Sequence, residues 1–521
     1  MLRKLPVGIQ SFEEIRSEYI YVDKTKYVYE LINSGKVFFF SRPRRFGKSL
    51  LVNTLKCLFE GRKELFEGLW IYDKWDWDEK YPVVKLDMST FTNSTVSSFE
   101  TDLKDSIFKL YENFGVPVGN PKVSPKKLIQ NLIESLKEKV VVLVDEYDKP
   151  ILDNVENRER AAKMRDYLRG FYEIFKSLDE HIKFLFITGV TKFSRVSLFS
   201  GLNNLEDVSL YPRFAALVGY TENEIIEYFK DYLEGVDIEQ MRYWYNGYNF
   251  LGSESVYNPY DVLLFLKSRK FDNYWFETGT PSFLVKVLEE RQEEPNLARL
   301  ENATITSSML DAFDVHVLRI EPLLFQTGYL TIEEEISDFE GTRYKLRVPN
   351  YEVRKSLNKE LLFSYLKAIT PFEEEELSNL TKKAMIEGNV EKFIESLRAL
   401  FGGLPYQTHP LVKYEGYYQS VLYAYMNGAG FEVIAEDYTS RGRVDLTVKL
   451  PKIAKVKGPV YVIELKVVES EPEGKALKQI KEKRYHEKYA GEDVYLIGVE
   501  VSKSLRGVVY AEWEKVSSTP P

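Results

Sequence analysis

A glycine–lysine–serine triplet lies between an apolar run of strand length and a helical pattern, and this arrangement constrains the fold of the chain most. The apolar run is Val37–Phe40, and the helical pattern is Leu50–Glu60. Between them, Gly47 allows the backbone to approach a phosphate, Lys48 can reach the outer phosphates, and the Ser49 hydroxyl can ligate Mg²⁺. In this setting the three residues predict a phosphate-binding P-loop that holds ATP and Mg²⁺.

The rest of the loop departs from the usual glycine-rich pattern. Arg42 occupies the position of the first glycine, and Arg44, Arg45 and Phe46 crowd the segment before Gly47. The two inner arginines either supply charge to the γ-phosphate or make the loop a poor cradle, and the sequence leaves both alternatives open. We therefore predict nucleotide binding through residues 44–49, while the rate of hydrolysis stays open.

An acidic pair follows a second buried strand later in the chain. Val140–Val144 is wholly apolar, and Asp145 and Glu146 come directly after it. In P-loop ATPases such an aspartate holds Mg²⁺ through water, and such a glutamate polarises the attacking water. The next predicted strand is followed by Thr188, whose hydroxyl could sense the γ-phosphate. The alternative is structural, because acidic residues after strands are common loop caps and Lys48 could be a surface lysine.

Residues 1–220 alternate short apolar runs with amphipathic stretches, which is typical of a parallel sheet covered by helices. The extra strand between the P-loop and the acidic pair is expected when the catalytic glutamate is next to the Mg²⁺-binding aspartate. We predict an α/β fold with a P-loop domain of this ASCE type at 1–220. Its predicted strands are Val37–Phe40, Val83–Leu86, Val140–Val144 and Ile182–Ile187, and its predicted helices are Leu50–Glu60, Ser98–Phe114 and Pro125–Glu138.

The pattern changes at Thr221, where TENEIIEYFKDYL has the signature of a helix capping box. Helical patterns rich in Tyr and Trp then continue to about Leu300. Pro322–Tyr365 follows with the order helix, strand, turn, strand and helix, which suits a small winged-helix unit. We predict a helical and winged-helix-like middle region at 221–400, and Gly402–Pro410 is the best linker candidate.

Two strand-like segments near the end of the chain place charged groups at matching positions. In RGRVDLTVKL (441–450) the apolar residues alternate, so Asp445 lies on the polar face. In YVIELKVV (461–468), Glu464 and Lys466 share one face. If the strands are hairpin neighbours, the two carboxylates come close and favour a hard cation such as Mg²⁺ or Mn²⁺. The cation would polarise a scissile phosphate, while Lys466 positions or deprotonates a water.

Three further residues are candidates for this site. Glu415 begins a helical pattern and either completes the metal shell or is only a carboxylate favoured by the helix dipole. Gln479 lies on the helix predicted after the second strand and could orient the water or the phosphate. Tyr485 and the lysines around it could follow a nucleic-acid backbone. An E-x-K pattern alone is weak, because alternating charges also mark a solvent-exposed strand face.

Composition limits the class of protein. The net charge of −9 argues against a protein that coats nucleic acid over its whole surface. Residues 439–490 alone carry 13 Lys or Arg against 7 Asp or Glu, which suits a nucleic-acid-binding module or a solvated lysine-rich helix. With one cysteine, Cys57, an internal disulfide is excluded. No apolar run approaches the ~20 residues that span a bilayer, so we expect a cytoplasmic protein without membrane contact.

Seven motifs occur together along nearly the whole chain: YVDKT (21–25), RPRRFGKSL (42–50), VDEYD (144–148), NGY (246–248), GRVDL (442–446), IELK (463–466) and ALKQI (476–480). Together they resemble bacterial and archaeal proteins that join an AAA-ATPase-like domain to a C-terminal PD-(D/E)xK nuclease-superfamily domain. The resemblance implies a restriction-endonuclease-like α/β core at 401–521. It also implies the roles given above to Lys48, Asp145, Asp445, Glu464 and Lys466, and supports Glu415 and Gln479 as site members.

The leading hypothesis is an ATP-regulated, Mg²⁺-dependent nuclease that cleaves phosphodiester bonds of DNA. Its hypothetical role is defence against foreign DNA or the processing of foreign DNA. DNA is favoured over RNA as the substrate, and the sequence leaves open whether the protein forms a homo-oligomer. One alternative is a nucleotide-gated switch or scaffold that binds DNA or protein without cleaving. Another is an ATP-driven DNA translocase, for which Arg195 and Arg213 are the arginine-finger candidates.

Overall fold

The computed structural model divides the chain into two compact units. The first contains Met1–Phe283 and Thr304–Asn350, and the second contains Leu284–Ala303 and Tyr351–Pro521. The predicted domain boundaries at 220 and 400 stay predictions. The structure describes residues 3–192, 198–199, 201–279, 300–310, 320–365, 370–403, 415–439, 442–454, 456, 458–505 and 507–516.

A five-stranded, all-parallel sheet forms the centre of the first unit, with the order β2-β3-β4-β1-β5. The four predicted strands are confirmed, and each extends one or two residues beyond its predicted end. Their continuous apolar runs suit a sheet that is covered on both faces. The strands are β1 (Val37–Ser41), β2 (Val83–Asp87), β3 (Val140–Asp145), β4 (Ile182–Gly189) and β5 (Glu206–Asp207).

Two helices precede these strands and others connect them, and the three predicted helices are confirmed. The α5 helix begins at Pro125 after Ser124, whose hydroxyl accepts from the Lys127 backbone N–H and so caps the first turn. The helices are α1 (Phe12–Glu18), α2 (Thr25–Ser34), α3 (Lys48–Phe59), α4 (Val96–Asn113), α5 (Pro125–Ser135), α6 (Lys149–Leu152), α7 (Arg158–Tyr172) and α8 (Ile174–Ser177).

The remainder of the first unit is built from short helices and two small sheets. The predicted capping box is confirmed, because the Thr221 and Glu224 side chains bond each other's backbone N–H at the start of α9. Strands β6 and β7 pair, and a second sheet has the order β8-β10-β9. The elements are α9 (Glu222–Tyr228), α10 (Ile238–Tyr245), β6 (Asn246–Tyr248), β7 (Val256–Tyr257), α11 (Pro259–Ser268), α12 (Tyr274–Gly279), β8 (Thr304–Thr306), α13 (Ser307–Leu310), α14 (Ile320–Thr327), β9 (Thr331–Asp338) and β10 (Gly341–Arg347).

The predicted winged-helix order occurs, but its last helix belongs to the second unit. Hydrogen bonds explain why the β9–β10 hairpin belongs to the first unit. The Asn249 backbone N–H donates to Thr331 Oγ1 at 2.7 Å, and Arg347 donates to the Gly247 carbonyl at 2.9 Å. The hairpin is therefore fixed to strand β6 and the residue that follows it.

The second unit contains a five-stranded mixed sheet with the order β11-β12-β13-β14-β15. Only β13 and β14 pair in parallel, and the other neighbours are antiparallel. The edge strands β11 and β15 were not predicted. The elements are α15 (Tyr351–Tyr365), α16 (Pro371–Ile386), α17 (Val390–Gly402), α18 (Glu415–Gly428), β11 (Glu432–Thr439), β12 (Gly442–Lys449), β13 (Val460–Val468), α19 (Lys475–Lys483), β14 (Val494–Ser502) and β15 (Val508–Val516).

Apolar packing on one face of this sheet fixes helix α19. Leu477 and Ile480 of the helix pack with Val462 of β13 and Leu496 of β14 in a single buried cluster. In helix α18 every residue from Tyr417 onwards except Gln419 is buried, as expected for a helix that is largely apolar around its circumference. Part of the predicted linker, 404–410, lies outside the described residues.

Candidate nucleotide and metal sites

The P-loop connects β1 to α3. Gly47 has a φ of 96° and precedes the first residue of the helix, Lys48. The Lys48 ammonium is buried and donates to the carbonyls of Arg42 and Pro43, each at 3.0 Å. Burial lowers the pKa of Lys48, although Glu146 and other nearby carboxylates oppose this. The Lys48 side chain thus folds back onto the backbone of the P-loop and lies near the acidic residues that are expected to face a nucleotide.

Arg42, at the position of the usual glycine, is a structural residue of the core. Its guanidinium is 1% exposed and lies between the rings of Phe40 and Phe250, at 4.5 and 3.9 Å from their centroids. It donates to the carbonyls of Ser41 and Ser209 at 2.9 and 2.6 Å. Burial lowers its pKa to about 9. This side chain is used in packing, so it is not available to a phosphate.

The other crowding residues of the loop occupy three different environments. The Phe46 ring is buried and packs edge-on against Tyr248, so only its backbone is placed to face a ligand. The exposed Arg45 has a φ of 68°, and its guanidinium lies 4.7 Å from the Tyr260 ring centroid. Arg44 is half-buried, and its positive charge acts to lower the Lys48 pKa.

The backbone of the loop is held from outside. The Arg44 carbonyl accepts from the Asn258 side chain at 3.3 Å and from the Trp275 indole at 3.2 Å. The Phe46 carbonyl accepts from the Gly219 backbone N–H at 3.2 Å. These contacts come from residues that follow the five-stranded sheet in the chain, so the loop is held by the later part of the first unit as well.

The predicted acidic pair lies beside the P-loop. Asp145 ends β3, is 1% exposed, and its carboxylate hydrogen-bonds the Ser49 hydroxyl. Burial raises the pKa of Asp145, and it also raises that of Glu146, where Lys48 opposes the shift. Glu146 has a φ of 49°, a conformation that side chains rarely adopt and that strained functional turns retain. The fold therefore brings Lys48, Ser49, Asp145 and Glu146 together.

Asp148 lies beside these residues and was not predicted from the sequence. Its buried carboxylate accepts from the backbone N–H of Val190 at 3.1 Å and from the backbone and side chain of Thr191, both at 2.6 Å. A Cβ on Gly189 would collide with it, so this close approach requires glycine. The VDEYD motif carried the signal, since its last aspartate has no role in the usual acidic pair.

Thr188, the predicted γ-phosphate sensor, lies on β4. In the sheet this strand is between β3, which leads to the acidic pair, and β1, which leads to the P-loop. Thr188 is fully buried, and its carbonyl accepts from the Tyr147 backbone N–H at 3.1 Å. Its hydroxyl has no hydrogen-bond partner within the described part of the chain. A buried hydroxyl without a partner is costly, so a ligand atom that reached it would be stabilised.

A cavity of about 420 Å³ opens onto the P-loop. Its lining includes Lys48, Ser49 and Glu146 as well as Ile20, Tyr21, Val22 and Leu217. A lining that combines charged and polar side chains with apolar ones suits a nucleotide, which joins phosphates to a flat base. Arg44, Arg45 and Asp148 also line the cavity.

In the second unit, antiparallel pairing of β12 and β13 brings the predicted charged groups together. Leu446 pairs with Ile463, so the next step along the ladder places Asp445 opposite Glu464. Asp445 Oδ2 accepts from the Leu465 backbone N–H at 2.8 Å, and Glu464 Oε2 accepts from the Asp445 backbone N–H at 3.3 Å. Glu464 is 1% exposed. Burial and the adjacent Glu464 raise the pKa of Asp445 to about 7, and burial raises that of Glu464.

Lys466 joins this pair to Glu415. Its ammonium lies 3.1 Å from Glu464 Oε1 and 3.0 Å from Glu415 Oε1. Burial acts to lower the pKa of Lys466, but Glu464, Glu415 and Asp445 outweigh it, so the pKa is raised. Among the described residues no three acidic, histidine or cysteine side chains are arranged to hold a metal ion. Glu415, predicted as a third metal ligand, contacts this lysine, and Asp445 and Glu464 are joined through each other's strand backbone.

Gln479 also reaches the site, from helix α19. Its side-chain amide donates to Glu464 Oε1, and it hydrogen-bonds the Tyr485 hydroxyl. Gln419, which was not predicted as a site residue, donates to the Asp445 carbonyl at 3.1 Å. Its position on α18, one turn after Glu415, was the available signal. Four elements thus meet at one group of side chains.

Comparison with known proteins identifies the two domains that contain these side chains. A family model described as "Predicted AAA-ATPase" matches residues 6–199, and one described as "PD-(D/E)XK nuclease superfamily" matches residues 413–511. This chain belongs to the family that joins these two domains. A relative from Azotobacter chroococcum mcd 1, "Uncharacterized protein in vnfD 5'region", is 42% identical over 516 residues, which cover 97% of this chain and 98% of that protein.

Both groups of side chains lie within the matched ranges. The first match contains the P-loop and the acidic pair, and the second contains Asp445, Glu464 and Lys466. Across the described residues, no helix combines the length and the apolar character needed to cross a bilayer.

Proposed function

We propose that this protein is an ATP-binding, Mg²⁺-dependent nuclease that cleaves phosphodiester bonds of DNA. The observation that carries the proposal is the group formed by Asp445, Glu464 and Lys466 across β12 and β13. Two carboxylates on neighbouring strands face one ammonium, and burial makes both of them hard to ionise without a cation. A divalent cation would remove that cost, so the residues present fit such an ion.

The roles of the side chains follow from their charges. Asp445 and Glu464 would hold Mg²⁺ or Mn²⁺, which when bound polarises the scissile phosphate and acidifies water. Lys466 keeps its proton because its pKa is raised, so we assign it to orienting the phosphate by charge rather than to removing a proton. Gln479 fixes the Glu464 carboxylate through its amide. Glu415 holds Lys466 from the other side.

The P-loop unit supplies the nucleotide dependence in this proposal. Lys48 and the loop amides would hold the phosphates, and the contact between Ser49 and Asp145 provides the oxygen ligands that Mg²⁺ of Mg–ATP prefers. Glu146 is the proposed base for the attacking water, and Thr188 the contact to the γ-phosphate. ATP binding would then regulate cleavage.

A second candidate function is a nucleotide-gated switch or scaffold that binds DNA or protein without cutting. One observation favours it: Lys466 is paired with both Glu415 and Glu464, and in the described chain no three-ligand metal cluster is formed. Such a site would keep the fold of a nuclease and lose its cation.

The test is incubation of the full chain with supercoiled plasmid and Mg²⁺ or Mn²⁺, with and without ATP. We expect nicking that requires the cation and disappears in Asp445→Ala and in Lys466→Ala, while ATP binding survives. Glu469→Ala, which changes an exposed carboxylate on the same unit, is the control and should cut normally. In Lys48→Ala, cleavage should no longer respond to ATP. Cleavage that persists in both site variants would end the nuclease assignment, and single-stranded DNA and RNA arms test the substrate class.

A further inference from the structure

Helix α19, which carries Gln479, is held at its N-terminus by a carboxylate from a neighbouring strand. Glu500 of β14 is 1% exposed, and its two oxygens accept from the backbone N–H groups of Glu473 and Lys475 at 2.6 and 2.7 Å. The N-cap residue of the helix is Gly474, which has no side chain to satisfy these groups. Glu500 therefore does the work of a helix cap from outside the helix.

A glycine on the same strand lets this helix approach the sheet. A Cβ added to Gly498 would collide with the backbone nitrogen of Leu477 and lie 2.9 Å from its Cα. The φ of this glycine is not in the left-handed region, so its requirement comes from the close approach alone. Gly498 and Glu500 thus set the distance and the end point of α19.

The same two residues are the strand partners of the candidate site. Gly498 pairs with Glu464, and Glu500 pairs with Lys466, in the parallel ladder between β13 and β14. Paired residues share a sheet face, so the contact that holds α19 is made next to the site residues. From this position Gln479 donates to Glu464 Oε1.

We propose that Glu500 is a positioning residue that holds α19 so that Gln479 orients the Glu464 carboxylate. The proposal rests on the nuclease function proposed above. A cap needed only for helix stability is supplied at lower cost by Ser, Asp or Asn at the N-cap itself. A buried carboxylate carries a desolvation cost, and here it ties the helix to the strand beside the reacting groups. That arrangement fixes a position as well as a helix end.

A double-mutant cycle separates positioning from general stability. If Glu500 acts through Gln479, Glu500→Ala should lower Mn²⁺-dependent plasmid cleavage about 10- to 100-fold, as removal of supporting contacts at metal sites does. In a Gln479→Ala background the same change should then cost less than about 3-fold, because the contact it supports is already absent. Glu500→Gln, which keeps one acceptor oxygen, should give an intermediate loss.

Two readouts do not depend on cleavage. Hydrogen exchange of the amides in 473–483 should become faster in Glu500→Ala, and calorimetric Mn²⁺ binding to the nucleotide-free chain should weaken by a similar factor. Gly498→Ala should produce both effects by displacing the helix. Glu514→Ala is the matched control, since this acidic residue of β15 also contacts α19, through exposed Lys481, but not the helix N-terminus. It should leave exchange, binding and cleavage unchanged.

The outcomes are distinct. Equal losses from Glu500→Ala in both backgrounds would overturn the proposal, because they would show a structural role independent of Gln479. Full cleavage by both Glu500→Ala and Gly498→Ala would overturn it as well. If the unmodified chain binds Mn²⁺ but cuts no nucleic acid, the nuclease function fails, and the cycle measured on Mn²⁺ binding still decides the role of Glu500. A chain that does not bind Mn²⁺ contradicts both.

Discussion

The Asp445 backbone N–H donates to Glu464 Oε2 at 3.3 Å, while the Asp445 carboxylate accepts from the N–H of the residue after Glu464, at 2.8 Å. Each carboxylate is thus fixed by the strand that carries the other. Because strand pairing itself sets this geometry, the pair is held ready before any ligand arrives. Electrostatic repulsion between the two groups is the cost of that arrangement.

Asp445 should make stability depend on pH in the absence of divalent cations. Its folded pKa, about 7, lies above its ordinary value of 3.8, so between these values the folded chain holds a proton that the unfolded chain releases. Stability from this group therefore falls as the pH rises from about 4 to 7 and stays reduced above. Asp445→Asn should stabilise the chain by roughly 2 kcal/mol at pH 8 and little at pH 4. Thermal melts in chelator at both pH values test this, with exposed Asp493→Asn as control.

Lys466→Ala should separate cation binding from cleavage. Removing the ammonium leaves Glu464 and Glu415 without their shared counter-charge. We expect Mn²⁺ to bind at least as tightly as before, since a positive charge near the cation is removed, whereas plasmid cleavage falls by roughly 100-fold or more. Calorimetry and a nicking assay on the same preparation measure the two effects. Weaker Mn²⁺ binding would show that Lys466 organises the carboxylates instead of the phosphate.

Arg42→Gly, which restores the usual P-loop glycine, should harm the protein. The change removes a guanidinium packed between Phe40 and Phe250 and leaves the carbonyls of Ser41 and Ser209 without their donor. Buried losses of this kind cost about 3 kcal/mol. We expect a lower melting temperature and no gain in ATP affinity. Arg45→Gly, at an exposed position of the same loop, is the comparison and should change the melting temperature much less.

Lys48→Ala should impair ATP binding, whereas Glu146→Gln should impair ATP hydrolysis. Lys48 is expected to hold the phosphates, so its loss should abolish nucleotide binding as measured with a fluorescent ATP analogue. Glu146 is proposed to act only on the attacking water, so Glu146→Gln should bind ATP normally and hydrolyse it roughly 100-fold more slowly. Equal loss of binding in the two variants would contradict the role assigned to Glu146. Lys163→Ala, on an exposed helix position, serves as the control for both.

Local patterns were sufficient for the strands that matter. The apolar runs of β1 to β4 are long enough to be recognised as buried strands, and alternation in 441–450 correctly separates Val444 and Leu446 from Asp445. The edge strands β11 and β15 were not predicted because their residues are mostly half-exposed or exposed, and because charged residues alternate irregularly with apolar ones. Edge strands lack one neighbour, and their sequences carry a weaker pattern for that reason.

The sequence alone was enough to select the residues that we propose carry the chemistry: the P-loop triplet, the acidic pair, and Asp445, Glu464 and Lys466 all follow from residue type, spacing and strand period. Only the tertiary structure decided what the remaining polar residues do. Arg42 is a core residue, Asp148 accepts hydrogen bonds from Thr191, and Glu500 accepts hydrogen bonds at the N-terminus of α19. Each of these side chains bonds groups that are far away in the sequence. The packing of strands and helices determines these hydrogen-bond partners, so a local sequence pattern does not predict them.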